Sequence, residues 1–227
     1  MTPPPLRPRI SIAPALRALW PEARLGCLSW RTRTLPENPA LWSFFTQKIL
    51  PGLNATLQDT PLAELPNLGE SRRAYKAFGR DPGRTRVSSE ALYRRIRQGK
   101  ELYRINTVVD ANNLISLETG FSLGSYDQGR LNGDLLFRLG EEGEAYAGIG
   151  KDGMDLARLP LLADADGPFG SPSSDSQRAM ISLESRDILT VIYAFSAAED
   201  LEAALTLARK RLTDFAGAGD CAVFTVC

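Results

Sequence analysis

Apolar and polar positions follow two rhythms along this chain, and the rhythm changes often. Alternation through Leu25, Cys27 and Ser29–Trp30 predicts a strand within 23–34. A shorter strand falls at 9–12, followed by one or two helical turns over 13–20 that Pro21 stops. Helical spacing takes over at 38–57 through Leu41, Trp42, Phe44, Phe45, Ile49 and Leu50. Pro51 there marks a kink or the start of a second short helix, and Trp42 and Phe45 read as core anchors. The proline-rich residues 1–8 read as a loose arm, and 58–69 as an irregular connection. Helices are predicted around 71–78 and about 89–98, the second with Ser88 as N-cap and Gly99 as its stop.

The most distinctive stretch is 104–134, entered through a strand-like run at 102–105. A helix of roughly a dozen residues starts at about Asn106, with Val108, Val109, Ala111, Ile115 and Leu117 mostly on one side. Asn106 can cap it, and Gly120 stands where a helix C-terminal glycine belongs. Asn106, Asp110, Asn112 and Asn113 are polar and poor helix formers, which an ordinary surface helix would avoid. Farther on, 134–139 and 145–149 read as a strand pair around the turn 140–143, 151–156 as a loop and 159–163 as a strand. The run DADGPFGSPSSDS at 164–176 is dense in turn formers. Residues 178–181 return to an extended pattern, and the β-branched run 187–195 reads as a buried strand. Ser196 and Glu199 form a capping box for a helix to about Phe215, with a stripe of Leu201, Ala204, Leu205, Ala208 and Leu212. A strand at 221–226 closes the chain. Strands and helices mix without a regular βαβ rhythm, so the class is α+β. No glycine-rich nucleotide fingerprint occurs.

Charge adds one feature. The formal net charge is zero, yet residues 71–104 hold eleven basic and three acidic side chains. Tyr75, Phe78, Tyr93 and Tyr103 lie among them. One reading is an RNA phosphate track carried by Arg72, Arg73, Arg84, Arg94, Arg95 and Arg97. The other is two solvated amphipathic helices whose aromatics point inward. Cys27, Cys221 and Cys227 are far apart and suggest free thiols, with no zinc site, no disulfide framework and a cytoplasmic location. No apolar run suggests a signal peptide or a membrane span. The chain has no histidine, which excludes Ser–His or Cys–His pairs and His-based metal sites.

The pattern N-x-x-V-D-x-x-N (Asn106, Val109, Asp110, Asn113), then S-L-x-x-G (Ser116, Leu117, Gly120), Y-D (Tyr126, Asp127) and L-x-G-D (Leu131, Gly133, Asp134) resembles the B3/B4 domain of the bacterial phenylalanyl-tRNA synthetase beta subunit. The likeness spans roughly residues 72–195. That domain edits mischarged tRNA, and this chain looks like a free-standing relative. The resemblance implies a mixed, barrel-like β-sheet with helices packed outside it. It implies a B3/B4-like domain at 71–227, on which a 1–70 α/β segment packs. The pocket would lie between the Asn113 helix and the 167–178 loop, lined by Asn112, Asn113, Asp127, Ser174, Asp175, Ser176 and Arg178.

Each of those residues has a plainer reading as well. Asn113 and Asp127 bind a ligand amine or hydroxyl, or else tie the helix end to the next turn. Ser174, Asp175, Ser176 and Arg178 line the wall, or form a turn salt-bridged to Arg178. The chain also departs from the family: Gly124 stands where the editing domain has its pocket histidine, and Asn112 replaces the threonine of a Thr-Asn pair. Editing hydrolyses an activated ester, so oriented water, oxyanion donors and a vicinal ribose hydroxyl can suffice without histidine. The implied function is tRNA or RNA binding, with hydrolysis of mischarged aminoacyl-tRNA; the alternative is a non-catalytic module for RNA or an amino acid-like molecule. The implied partners are tRNA and an amino acid or aminoacyl ester, with no cofactor, metal, DNA or membrane. Which amino acid, which tRNA and what oligomeric state are not legible.

Overall fold

The computed structural model describes residues 7–227, so most of the proline-rich arm at 1–8 lies outside the described residues. The chain runs β1 (Ile10–Ile12), α1 (Pro14–Leu19), β2 (Arg24–Arg31), α2 (Pro39–Phe44), a π-helical turn (Phe45–Ile49), α3 (Leu50–Asp59), α4 (Leu68–Ala77) and α5 (Ser88–Arg97). It continues through α6 (Thr107–Thr119), β3 (Ser122–Asp127), β4 (Leu135–Leu139), β5 (Ala145–Gly148), β6 (Lys151–Asp155), β7 (Pro160–Asp164) and β8 (Gly167–Gly170). It ends with β9 (Asp187–Ala194), α7 (Ala198–Ala216) and β10 (Cys221–Val226). The fold is α+β.

Two four-stranded sheets carry the core, in the orders β1-β4-β7-β8 and β10-β2-β9-β3. The second is antiparallel throughout, whereas β1 joins β4 in parallel. β5 and β6 form a separate hairpin. Among the described residues no ladder joins the ends of either sheet, so the expected barrel is not formed. A barrel needs every strand paired on both sides; here β1, β8, β10 and β3 remain sheet edges. β2 sits between β9 and β10 at the centre of its sheet, so the N-terminal part is built into the main body.

Local chemistry explains several departures from the sequence reading. β4 and β5 do not pair with each other; β4 lies between β1 and β7, and the 151–156 segment supplies β6 as the partner of β5. Residues 102–105 and 178–181 form no strand. Ser88 is the first residue of α5 rather than its cap, and its N–H donates to the Pro172 carbonyl at 2.7 Å. Ser196 does not cap α7; its hydroxyl donates to Asn67 Oδ1 at 2.6 Å, tying the chain back to the start of α4. In both cases a tertiary partner replaces the local one. The 38–57 helix is relieved before Pro51 by the π-helical turn, which lets the proline sit in the first turn of α3.

α6 follows the sequence closely. Asn106 Oδ1 accepts the N–H groups of Val108 and Val109 at 3.1 and 3.0 Å. Gly120 ends the helix at φ 78°, a left-handed conformation that favours glycine. The helix is buried on most of its surface, against α5, α7 and β3. Arg211 of α7 locks it with a bidentate pair to Glu118, at 2.7 and 2.6 Å, almost out of contact with water.

Candidate functional site

The place assigned to a pocket is filled by tyrosines. Tyr126 of β3 and Tyr193 of β9 are fully buried, and their hydroxyls lie 2.5 Å apart. Tyr126 also donates to Asp175 Oδ1 at 2.8 Å. Its ring meets Phe169 edge-on, with centroids 4.9 Å apart. Two glycines make room for it. A Cβ on Gly124 would stand 2.0 Å from the Tyr126 hydroxyl oxygen, and one on Gly170 would stand 2.2 Å away. Gly124 and Tyr126 are two apart on one strand and therefore share a face. Gly124 is thus the space into which Tyr126 folds back.

The serine-rich run is an ordered loop laid over this cluster. Ser171 N–H donates to Asp175 Oδ1 at 3.1 Å, and Ser171 Oγ donates to the Ser174 carbonyl at 2.8 Å. Tyr146 donates to the same carbonyl. Tyr75 and Ser173 share a hydrogen bond at 2.9 Å. Ser176 is buried, its N–H on the Phe169 carbonyl. Burial pushes the hydroxyls of Tyr126 and Tyr193 well above the ordinary tyrosine range, so both stay protonated. Asp175 is half-buried as a residue, yet burial dominates its carboxyl and pushes it up to about 7. Its Oδ2 accepts no hydrogen bond among the described residues.

A testable consequence follows from that carboxyl. The folded chain keeps a proton on Asp175 that the unfolded chain loses above its ordinary value of 3.8. Stability should therefore fall as pH rises from about 4 to about 7, by at most ~1.4 kcal/mol per pH unit. Asp110, pushed up to about 6 by burial, acts in the same direction. Urea unfolding at pH 5 and pH 8 is expected to show a smaller difference in Asp175→Asn than in the wild type. An unchanged difference would remove Asp175 as the source.

The remaining expected wall residues divide. Asn112 is buried, and its Oδ1 has no hydrogen-bond partner among the described residues; Asp110 Oδ2 on the same helix and Gln128 Oε1 after β3 share that condition. Asn113 is half-buried and makes no side-chain hydrogen bond among the described residues. No hydrogen bond links either asparagine to the 171–176 loop. Asp127 is occupied locally: it accepts the Gly129 N–H at 3.0 Å and the Ser185 hydroxyl at 2.6 Å. Arg178 grips Asp164 through two bonds of 3.1 and 2.8 Å and also reaches the Gly167 carbonyl. The Asp164 side chain is completely buried. Arg178→Ala is expected to cost about 2–4 kcal/mol in urea unfolding, because it strands a buried carboxylate; a loss under about 0.5 kcal/mol would return Arg178 to the ligand wall.

The basic segment is two different surfaces. Arg72 and Arg94 converge on Glu90, whose side chain is completely buried, at 2.8 and 2.7 Å. Arg72 thereby holds α4 to α5, while Arg94 pairs with Glu90 within α5. Arg73 pairs with Glu70 at 2.7 Å, and the exposed Arg84 lies 3.8 Å from Asp81. Arg86, Arg95, Arg97 and Lys100 have no carboxylate partner among the described residues. Arg86, Arg95 and Lys100 line a cleft of about 330 Å³ on α5, together with Arg94, Leu92 and Tyr103. Arg97 lies on a separate groove, beside Asn54, Leu57 and Gln58. Sequence reading did not put Arg86 or Lys100 among the RNA residues. It did not single out Tyr75, Tyr126, Tyr146 and Tyr193 for the pocket region; the spacing of Gly124 and Tyr126 was the available signal. Among the described residues, no group of three or more Cys, Asp and Glu could hold a metal ion, and no helix is long and apolar enough to cross a membrane.

Comparison with known proteins bears on this geometry. The B3/4 domain family matches residues 70–210. The chain belongs to that family. The B3/4 match covers α4 through most of α7, and so takes in the tyrosine cluster and the cleft on α5. No curated protein matches. Among solved structures, an N-terminal fragment of the phenylalanyl-tRNA synthetase beta subunit from Pyrococcus horikoshii is similar at 12% identity with a TM-score of 0.49. The alignment covers 99% of this chain and 52% of that one, so the chain spans about half the length of that structure.

Proposed function

We propose that this B3/4-domain protein binds RNA, tRNA in particular, through the outer face of α5. The observation that carries this is the set of three cations without carboxylate partners among the described residues, Arg86, Arg95 and Lys100, gathered in one cleft of a chain with zero net charge. Unpaired guanidinium and ammonium groups release condensed counterions when they meet phosphates, which is the main source of nonspecific RNA affinity. Arg72 and Arg94, turned to Glu90, contribute to the fold instead. Membership in the B3/4 family favours tRNA as the RNA.

Hydrolysis of a mischarged aminoacyl ester is the second reading. It rests on Asp175, a carboxyl that burial raises to about 7, with one oxygen anchored by Tyr126 and Ser171 and the other without a hydrogen-bond partner among the described residues. Such a group can take a proton from an attacking water. The filled space around Tyr126 favours binding without the hydrolysis.

A panel of charged and mischarged tRNAs separates the readings. Binding is measured across a salt series with wild type and Arg95→Ala/Arg97→Ala, and deacylation with wild type and Asp175→Asn. Salt-sensitive binding weakened in the arginine variant supports RNA binding. Selective deacylation lost in Asp175→Asn supports the hydrolase. No binding at low salt removes the proposal.

A further inference from the structure

We infer that the α5 cleft takes unpaired ribonucleotides and holds a base against Tyr103. This rests on the RNA reading above and names the kind of strand. Tyr103 is 65% exposed, although it belongs to a residue type whose large apolar body is normally covered. The segment that carries it, between Gly99 and Asn106, forms no helix or strand. The phenol has no hydrogen-bond partner among the described residues, so no polar contact explains its position.

What does hold the ring is Arg95. Its guanidinium carbon lies 3.8 Å from the ring centroid. Its Nε donates to the Glu101 carbonyl, which fixes the guanidinium plane to the loop. One face of Tyr103 is therefore backed by a cation and the other faces solvent. A base can stack on the open face, with the guanidinium strengthening the ring from behind.

The surroundings suit a strand with splayed bases better than a duplex. Arg86 and Lys100 lie in the same cleft as Tyr103, with Leu92 giving it an apolar patch. Phosphates can reach the cations while a base reaches the ring, which is the arrangement of platforms for single strands. In an A-form duplex the base faces are stacked on each other and are not available to a side chain. Stacking also needs no base-edge hydrogen bonds, so little sequence preference follows.

The test uses the full chain and a fluorescein-labelled, unstructured oligoribonucleotide of about 12 nucleotides, enough to span one such groove, beside the same strand in a blunt duplex. Affinity is read by anisotropy at fixed salt. The single strand is expected to bind at least about tenfold tighter than the duplex, and Tyr103→Ala to remove most of that margin. Tyr103→Phe, which keeps the ring, should stay within about twofold of wild type. Thermal unfolding of both variants should match wild type, since the side chain is mostly exposed. Equal binding of strand and duplex, or an unchanged Tyr103→Ala, overturns the inference and leaves phosphate binding intact. Absence of any RNA binding at low salt overturns it together with the proposed function.

Discussion

Replacing Arg72 and Arg94 together by alanine is expected to lower the unfolding free energy by about 3–5 kcal/mol. Both guanidiniums meet Glu90, whose side chain has no exposure to water. Arg72 supplies bonds of 3.0 and 2.8 Å, and Arg94 supplies 2.9 and 2.7 Å. Without them a carboxylate stays in the interior with no counterion, and that penalty exceeds the value of any surface pair. Each single variant should cost less, because the second arginine still neutralises the charge. Glu90→Gln in the double-alanine background should restore part of the loss, since it removes the stranded charge. Arg95→Ala/Arg97→Ala is the contrast: stability within about 0.5 kcal/mol of wild type, with weakened RNA binding. Urea unfolding of the five variants checks this. If the double alanine variant is as stable as wild type, Glu90 is solvated in solution.

Gly124→Ala is expected to cost about 2–4 kcal/mol, a large loss for one methyl group. The new carbon would lie 2.0 Å from the Tyr126 hydroxyl oxygen and 2.5 Å from Cζ, well inside contact distance. Tyr126 must then leave the notch between Gly124 and Gly170. Leaving it breaks the hydrogen bonds to Asp175 and Tyr193 and opens the site beneath the serine-rich loop. Gly124→His, which introduces a still larger side chain into the same notch, should be worse on its own. Adding Tyr126→Ala should recover stability by giving the imidazole the space the phenol held. Chemical unfolding of Gly124→Ala, Gly124→His and Gly124→His/Tyr126→Ala tests the coupling. A Gly124→Ala variant within about 0.5 kcal/mol of wild type would mean that the ring does not fill the notch.

Both predictions concern residues that the sequence marked without explaining. The arginines of α5 were visible as a charge surplus, but a surplus does not say which guanidiniums find a buried acid. Glu90 is one of only three acids in 71–104, and nothing local shows that its side chain points inward. Gly124 was visible as a departure from the family. Its consequence needed the strand face shared with Tyr126, the register of β3 with β9, and the approach of Gly170 from the other sheet. Arg178 was read with the serine-rich turn, whereas its partner is Asp164, fourteen residues earlier.

The sequence by itself determined the elements whose signals are local. α6 begins at its asparagine cap and ends at its left-handed glycine, β9 follows its β-branched run, and α7 follows its apolar stripe. The family was also legible, because its motif lies within one contiguous stretch. Tertiary structure alone decided the rest. It set the partners of β4 and β5, the two open sheets in place of a barrel, and the redirection of Ser88 and Ser196 to distant partners. It also decided that the region expected to hold a pocket is filled by tyrosine and that five of the eleven cations of the basic segment have no carboxylate partner among the described residues. The reason is range. Caps and periodicity act over a few residues, whereas pairing of strands, burial of a carboxylate and filling of a cavity depend on segments far apart in the chain.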